Sequence, residues 1–224
     1  LYFYRTKFRS KLAKFNHAFE LPDYFEPMIG DKKEVKIAEL GAGPICTIGN
    51  RWKDVDIKIY ASDVLQNEFA PLWKKFGAVP VVPVEYQDME HLTYPDEFFD
   101  IVHCANALDH TVDARQAMKE MIRICKKGGW IYLRHFPDQR KRLRGMHAWD
   151  INIIGGECVL SGRRERFPLS EFGDFKTSAA LNTPGLPHSL SFSVGISGEY
   201  SKLKNFLLSL ESSRRIVKIQ SVSF

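Results

Sequence analysis

Val35-Lys36-Ile37-Ala38-Glu39-Leu40-Gly41-Ala42-Gly43-Pro44 is the stretch on which the fold turns. A short apolar run that breaks into glycines reads as a buried strand followed by a tight turn. Glycines there let the backbone come close to a ligand, where the turn opens toward a helix N-terminus. Twenty residues beyond Gly43, Asp63 follows a second strand-like run, Ile57 to Ser62. An acid at the end of the second strand is suited to accept hydrogen bonds from ribose hydroxyls. The full GxGxxG spacing is absent, which argues against a dinucleotide and leaves room for a mononucleoside-like cofactor.

Further along, strands and helices alternate. Residues 66–77 suit a helix with Phe69, Leu72, Trp73 and Phe76 on one stripe. Val79 to Val84 reads as a third strand interrupted by prolines, and Phe99 to Cys104 as a fourth, with Asp100 marking its start. Ala114, Ala117, Met118, Met121, Ile122 and Cys125 recur at helical spacing, Lys126-Lys127-Gly128-Gly129 closes that helix, and Trp130 to Phe136 is a fifth strand. The fold class that follows is α/β, a Rossmann-like, mainly parallel sheet with helices on both faces. In such sheets ligands bind outside the carboxyl ends of the strands.

The 224 residues are 44% apolar and 26% charged, which is enough to bury a core and excludes a disordered tail protein. The apolar runs fall short of a membrane span, and the basic start lacks the core of a secretory signal, so the chain reads as soluble and cytoplasmic. The formal charge of +5 is uneven: residues 1–20 carry five Lys/Arg against one acid, and residues 21–133 thirteen against eighteen. An acidic middle with basic flanks lacks the continuous basic face of a nucleic-acid binder and points no further than an anionic acceptor. Cys46, Cys104, Cys125 and Cys158 are scattered, with neither zinc spacing nor a disulfide framework, and read as free thiols.

Together these motifs resemble a class I S-adenosylmethionine-dependent methyltransferase of the broad type 11 group, over roughly residues 30–136. Glu39-Leu40-Gly41-Ala42-Gly43 is similar to the acid-x-G-x-G loop that in this family holds the methionine part of the cofactor. Asp63 matches the ribose-binding acid, and Gln87-Asp88-Met89-Glu90 the segment whose acid binds the adenine amino group and whose next residue covers the ring. Phe98 to Cys104, Asn106-Ala107-Leu108-Asp109-His110 and Lys126 to Leu133 match the family's fourth strand, the stretch after it and the turn into the fifth. Ile45 departs from the pattern, since many members carry a third glycine there. The resemblance implies S-adenosyl-L-methionine as cofactor, held by Glu39, Gly41, Ala42, Gly43, Asp63, Val64, Asp88, Met89, Cys104 and Ala105, and no metal.

Methyl transfer to a hydroxyl needs orientation and a base. The candidate bases are His110, His135 and His147, whose side-chain type titrates near neutrality. Gly145-Met146-His147-Ala148-Trp149-Asp150-Ile151-Asn152 resembles a GxHxW segment of methyltransferases associated with polysaccharide biosynthesis. Trp149 with His, Asp and Asn around it offers a surface for a sugar, the ring stacking and the polar groups binding hydroxyls. The competing reading makes Trp149 a core residue of a sixth strand over 149–160. The tract Arg140-Lys141-Arg142-Leu143-Arg144 is either a solvated helix face or an attractor for a phosphorylated acceptor.

Residues 3–19 carry Phe8, Leu12, Phe15 and Phe19 on a stripe and read as an amphipathic helix, either a lid, a docking helix or an interfacial membrane helix. After the linker-like stretch 182–187, alternation over 190–197, a helix over 200–210 and a strand over 216–224 resemble a strand-helix-strand unit of PilO-like pilus-assembly proteins. The chain therefore divides into a methyltransferase domain, residues 1–182, and a C-terminal strand-helix-strand appendage, residues 183–224. The expected function is methyl transfer to a small-molecule acceptor, with a sugar hydroxyl first and no nucleic-acid partner; membrane contact is the disfavoured reading of residues 3–19. The alternative is a non-catalytic scaffold that binds the cofactor and assembles with other proteins through its C-terminal unit.

Overall fold

The computed structural model describes residues 18–142, 147–173, 176–179 and 190–195. A 3-10 turn, Asp23–Phe25, leads into the short helix α1 (Glu26–Ile29) and then the strand β1 (Glu34–Leu40). β2 (Asp56–Ser62) lies parallel to β1, in register from Glu34 opposite Asp56 to Leu40 opposite Ser62. α2 (Gln66–Phe76) ends on Gly77 at φ 60°, a left-handed cap that a residue with a Cβ adopts only with strain.

The expected third strand shrinks to β3 (Val84–Glu85). Pro80 and Pro83 have no N–H for the ladder, so only Val84 and Glu85 pair, with Ala61 and Ser62 of β2. The chain then crosses back to β4 (Phe99–Ala105), parallel to β1 on its other side. α3 (Ala114–Ile124) is capped by Asp113, whose carboxylate accepts the Gln116 amide at 2.9 Å.

α3 runs directly into β5 (Cys125–His135), a longer strand than the spacing predicts. Cys125 pairs with Phe99 and the next pair is Trp130 with Ile101, so Lys126-Lys127-Gly128-Gly129 bulges out of the ladder rather than forming a free turn. Asp100 anchors the bulge, accepting from Lys126 Nζ and from the Lys36 amide at 2.9 Å each. Gly129 is needed because a Cβ there would lie 2.9 Å from the Asp100 carbonyl oxygen.

After α4 (Gln139–Arg142), the expected sixth strand is two. β6 (Asp150–Ile154) and β7 (Glu157–Ser161) form a hairpin, closed by Gly155-Gly156 at φ 61° and 87°. A two-residue Gly-Gly connection is a strong hairpin signal, and uninterrupted strand propensity on either side hides it. β8 (Arg166–Pro168) completes this three-stranded sheet. β9 (Lys176–Ala179) and β10 (Leu190–Gly195) return to the large sheet, β10 antiparallel to both β5 and β9.

The large sheet has the order β3-β2-β1-β4-β5-β10-β9, with β1 to β5 parallel. The expected boundary after residue 182 thus falls between two strands that pair with each other. The helix over 200–210, the strand over 216–224 and residues 3–17 of the N-terminal helix lie outside the described residues. No helix among the described residues is long and apolar enough to cross a membrane.

One face of the sheet packs Ala38, Leu40 and Val102 against Met118 and Met121 of α3, against Trp149 and against Leu160 and Phe167 of the small sheet. The other packs Val35, Ile37 and Ile101 against Phe25, Met28 and Ile29. Each large apolar side chain enclosed in this way contributes about 1.5–3 kcal/mol relative to leaving it in water. The rigid slab so formed opens where strand order reverses, between the carboxyl ends of β1 and β4.

Candidate functional site

The loop leaving β1 is tied to β2 and α2. Ala42 N donates to Ser62 O at 2.9 Å, Gly43 N to Asp63 Oδ2 at 2.8 Å, and Trp73 Nε1 to Pro44 O at 2.7 Å. Gly41 and Gly43 sit at φ 69° and 70°. At Gly41 a Cβ would meet Ala107 Cβ at 2.1 Å, so this glycine is required by the stretch following β4 as well as by its own backbone. Met89 comes to the same place, its Cε 3.7 Å from that position.

Asp63 does more than face outward. Its second oxygen accepts the Leu65 amide at 2.8 Å, so the carboxylate organises both loops. Burial holds its carboxyl above the ordinary range, opposed by the amides of Leu65 and Gly43 and by nearby His110. Val64 beside it is 51% exposed. Asp88 accepts the Glu90 amide at 2.9 Å and lies 3.6 Å from His91.

Two of the expected cofactor contacts are turned inward. Glu39 is 2% exposed, and its carboxylate accepts from His103 Nδ1. Tyr24 O–H donates at 3.2 Å to His103 Nε2, and Tyr132 stacks on the same imidazole, 5.3 Å between centroids. Burial and the Glu39 charge push the Tyr24 hydroxyl and the Cys46 and Cys104 thiols upward, which keeps all three protonated. Cys104 is fully enclosed, so it can present only backbone to a ligand, whereas Ala105 at the end of β4 is half-buried.

The three histidines singled out from sequence converge on one carboxylate, Asp109, in the turn that follows β4. His147 Nδ1 donates to Asp109 Oδ2 at 2.6 Å, and the His110 and His147 rings lie 4.2 Å apart. His135 Nδ1 is 3.8 Å from Asp109 Oδ1, too far for a hydrogen bond. Asp109 and His135 are 2% and 1% exposed, and Asp109 Oδ1 and both His135 ring nitrogens have no hydrogen-bond partner among the described residues. Burial, only partly offset by the Asp109 charge, lowers His135 from 6.5 to about 4. An enclosed, weakly basic ring of this kind is not placed to take a proton from a substrate directly, which corrects its reading as a base. His110 is exposed and His147 half-buried. Asp109, quoted in the sequence motif but given no role, is the residue sequence reasoning missed; its one signal is an acid beside a histidine just past the fourth strand.

The surface expected to receive a sugar is rearranged as well. Trp149 is 5% exposed, edge-on to Phe167, and its Nε1 donates to Thr111 O at 3.0 Å. Its ring is core and cannot stack on a ligand. Asp150 accepts from the Arg140 amide at 2.9 Å and from Arg140 Nε at 3.1 Å, and Asn152 Nδ2 donates to Asp138. Arg140 thus braces the fold, and residues 143–146 lie outside the described residues.

The residues at this edge fit a nucleoside carrying a sulfonium. Each Asp63 oxygen accepts one amide and retains a lone pair, and in the Gly41-Ala42-Gly43 loop tied to it the only side chain is the methyl of Ala42.

The model of the methyltransferase domain family matches residues 39–133. A ubiquinone/menaquinone biosynthesis C-methyltransferase UbiE of Neisseria meningitidis is 34% identical over 67 residues, covering 30% of this chain and 27% of the relative. The corresponding protein of Chromobacterium violaceum is 38% identical over 63 residues, covering 28% and 26%. The chain thus spans about a quarter of the length of the curated relatives it matches. The crystal structure of the PH0226 protein from Pyrococcus horikoshii superimposes with a TM-score of 0.49 at 16% identity, over 88% of this chain and 99% of that one. With the loop, the acid after β2 and the strand order in place, residues 39–133 form a methyltransferase domain of the class I S-adenosylmethionine-dependent kind.

Proposed function

We propose that this chain transfers a methyl group from S-adenosyl-L-methionine to a small-molecule acceptor, and that the acceptor atom is a hydroxyl oxygen, a sugar hydroxyl first. The observation that carries this is the Asp109–His110–His147 cluster on the stretch that packs against the cofactor-type loop, through Ala107 on Gly41. When bound, the cofactor supplies a methyl carbon activated by a positive sulfur. The chain's part is to align an acceptor oxygen with that carbon and to receive the hydroxyl proton. His147 Nε2, the ring nitrogen turned away from Asp109, is set to take it, with the carboxylate balancing the charge that develops on the ring. Oxygen gains the methyl, the carbon–sulfur pair stays on sulfur, and the proton stays on the histidine until water removes it.

Asp63 and Met89 are assigned to the nucleoside end, with Val64 and Asp88 beside them. Gly41, Ala42, Gly43 and Ala105 are assigned to the methionine end, where Glu39 acts only through His103 and Cys104 only through its backbone. The sugar reading no longer draws on Trp149 and rests on the polar cluster alone. A cytoplasmic setting accords with a cofactor made there. The relatives are named as C-methyltransferases, so a carbon acceptor is the competing outcome.

Calorimetric titration with S-adenosylhomocysteine tests the common part: micromolar binding that weakens at least tenfold in Asp63→Ala is expected. Binding unaffected by that change would overturn it. Turnover over a panel of sugars, phenols and quinols then separates an oxygen from a carbon acceptor. Tight cofactor binding with no turnover on any of them would favour the non-catalytic scaffold.

A further inference from the structure

We propose that Asp109, His110 and His147 form a binding site for a divalent first-row transition-metal ion, with zinc as the type case. Their donor atoms all lie within 4.8 Å of one another. Ligands about 2.0–2.2 Å from a common ion are separated by at most about 4.4 Å, so small side-chain rotations close the set. Asp109 and His110 come from the turn after β4. His147 is held against them by its own ring and by the amides of Ala148 and Trp149, which donate to Asp109 O at 2.8 and 3.1 Å.

A second observation points into the same spot. Asp109 Oδ1 and both His135 ring nitrogens are buried without a partner among the described residues, and His135 Nδ1 faces Asp109 Oδ1 across 3.8 Å. A buried carboxylate oxygen in that condition is costly, and a cation bound by Asp109 satisfies it. His135 closes the site from the core side, while exposed His110 leaves the outer side open.

Two imidazoles and one carboxylate select zinc, iron or cobalt over magnesium and calcium, which prefer all-oxygen shells. Three protein ligands leave positions free, the pattern of a site that binds a substrate rather than one that only braces a fold. The free positions take oxygen ligands, such as a hydroxyl and a neighbouring oxygen of an acceptor. That last step rests on the methyl-transfer reading. With an ion held by the His147 ring, an acceptor hydroxyl bound to it would release its proton to solvent water instead of to that ring.

The test takes the full chain stripped with a chelator and dialysed against zinc in excess magnesium, with metal content measured by mass spectrometry. One zinc per chain is expected, with affinity at least 100-fold lower in His110→Ala/His147→Ala. Cobalt should give a spectrum without thiolate charge transfer, which excludes the four buried cysteines as ligands. His110→Ala alone changes an exposed side chain, so it reports on the site without threatening the fold; at least tenfold weaker zinc binding is expected. Zinc uptake equal in parent and both variants, uptake through thiolates, or none in a chain that still binds S-adenosylhomocysteine would overturn the proposal. Loss of S-adenosylhomocysteine binding with zinc uptake intact would instead strike the methyltransferase reading alone.

Discussion

The Asp109 carboxylate lies 2.6 Å from Nδ1 of His147, 38 positions further along the chain. Side-chain and backbone anchoring can be separated here, because the Asp109 carbonyl independently holds the Ala148 and Trp149 amides. Asp109→Asn keeps the carbonyl and the shape but removes the charge. Methyl transfer is expected to fall at least tenfold, while the melting temperature changes by only a few degrees. Steady-state kinetics alongside a thermal melt checks both; a collapse of the fold would mean that the carboxylate itself holds the segment.

Trp149 fixes the same segment from the core side. Trp149→Phe loses the 3.0 Å bond from Nε1 to Thr111 O while keeping an aromatic ring against Phe167, and should cost about 1–2 kcal/mol in denaturant titration. Trp149→Ala should cost about 3–5 kcal/mol. Were the ring a sugar platform instead, the two variants would differ in acceptor KM and not in stability.

Gly41 and Ala107 form a steric pair. Gly41→Ala places a Cβ 2.1 Å from Ala107 Cβ at φ 69°, and is expected to weaken S-adenosylhomocysteine binding at least tenfold and to destabilise the chain by about 1–3 kcal/mol. Adding Ala107→Gly removes the clash and leaves only the strained backbone. Calorimetry and denaturation of the double variant should therefore show partial recovery; no recovery would place the whole effect in φ.

The parallel part of the fold was legible because β1, β2 and β4 are short strand-like segments rich in apolar residues, and Gly41 and Asp63 mark the ends of the first two. Misreadings fell where local chemistry overrode period: Pro80 and Pro83 ahead of β3, the bulge at Lys126 to Gly129 and the Gly155-Gly156 turn. In the site, glycines and Asp63 were readable from spacing. The inward turn of Glu39 was not, since His103 reaches it across 64 positions of sequence and Tyr24 reaches His103 across 79. The role of Asp109 was equally hidden, because it depends on a histidine 38 positions further along the chain.

His135 makes stability depend on pH in a defined direction. Its folded-state value, about 4, lies below the 6.5 of an unfolded chain, so between these limits the unfolded state binds more protons. This contribution is complete above about 6.5, declines as pH falls and is gone below about 4. Its full size is on the order of 3 kcal/mol, at about 1.36 kcal/mol per unit. His135→Gln should flatten the acid limb of a stability-against-pH curve measured by urea titration. An unchanged slope would show that other groups set it.

β10 meets β5 over six residue pairs, from Leu190 opposite His135 to Gly195 opposite Trp130. β5 carries Trp130, Tyr132 and His135, so its edge is continuous with the site. A chain ending after residue 182 lacks this partner and leaves the backbone of a long apolar strand unpaired, an invitation to intermolecular pairing. A chain ending after residue 195 retains it. Size-exclusion chromatography with S-adenosylhomocysteine titration should find the longer truncation product monodisperse and binding, and the shorter one aggregated or at least tenfold weaker. If the two behave alike, Leu190–Gly195 belongs functionally to an appendage beginning at residue 183; if they differ as expected, the methyltransferase unit includes Leu190–Gly195.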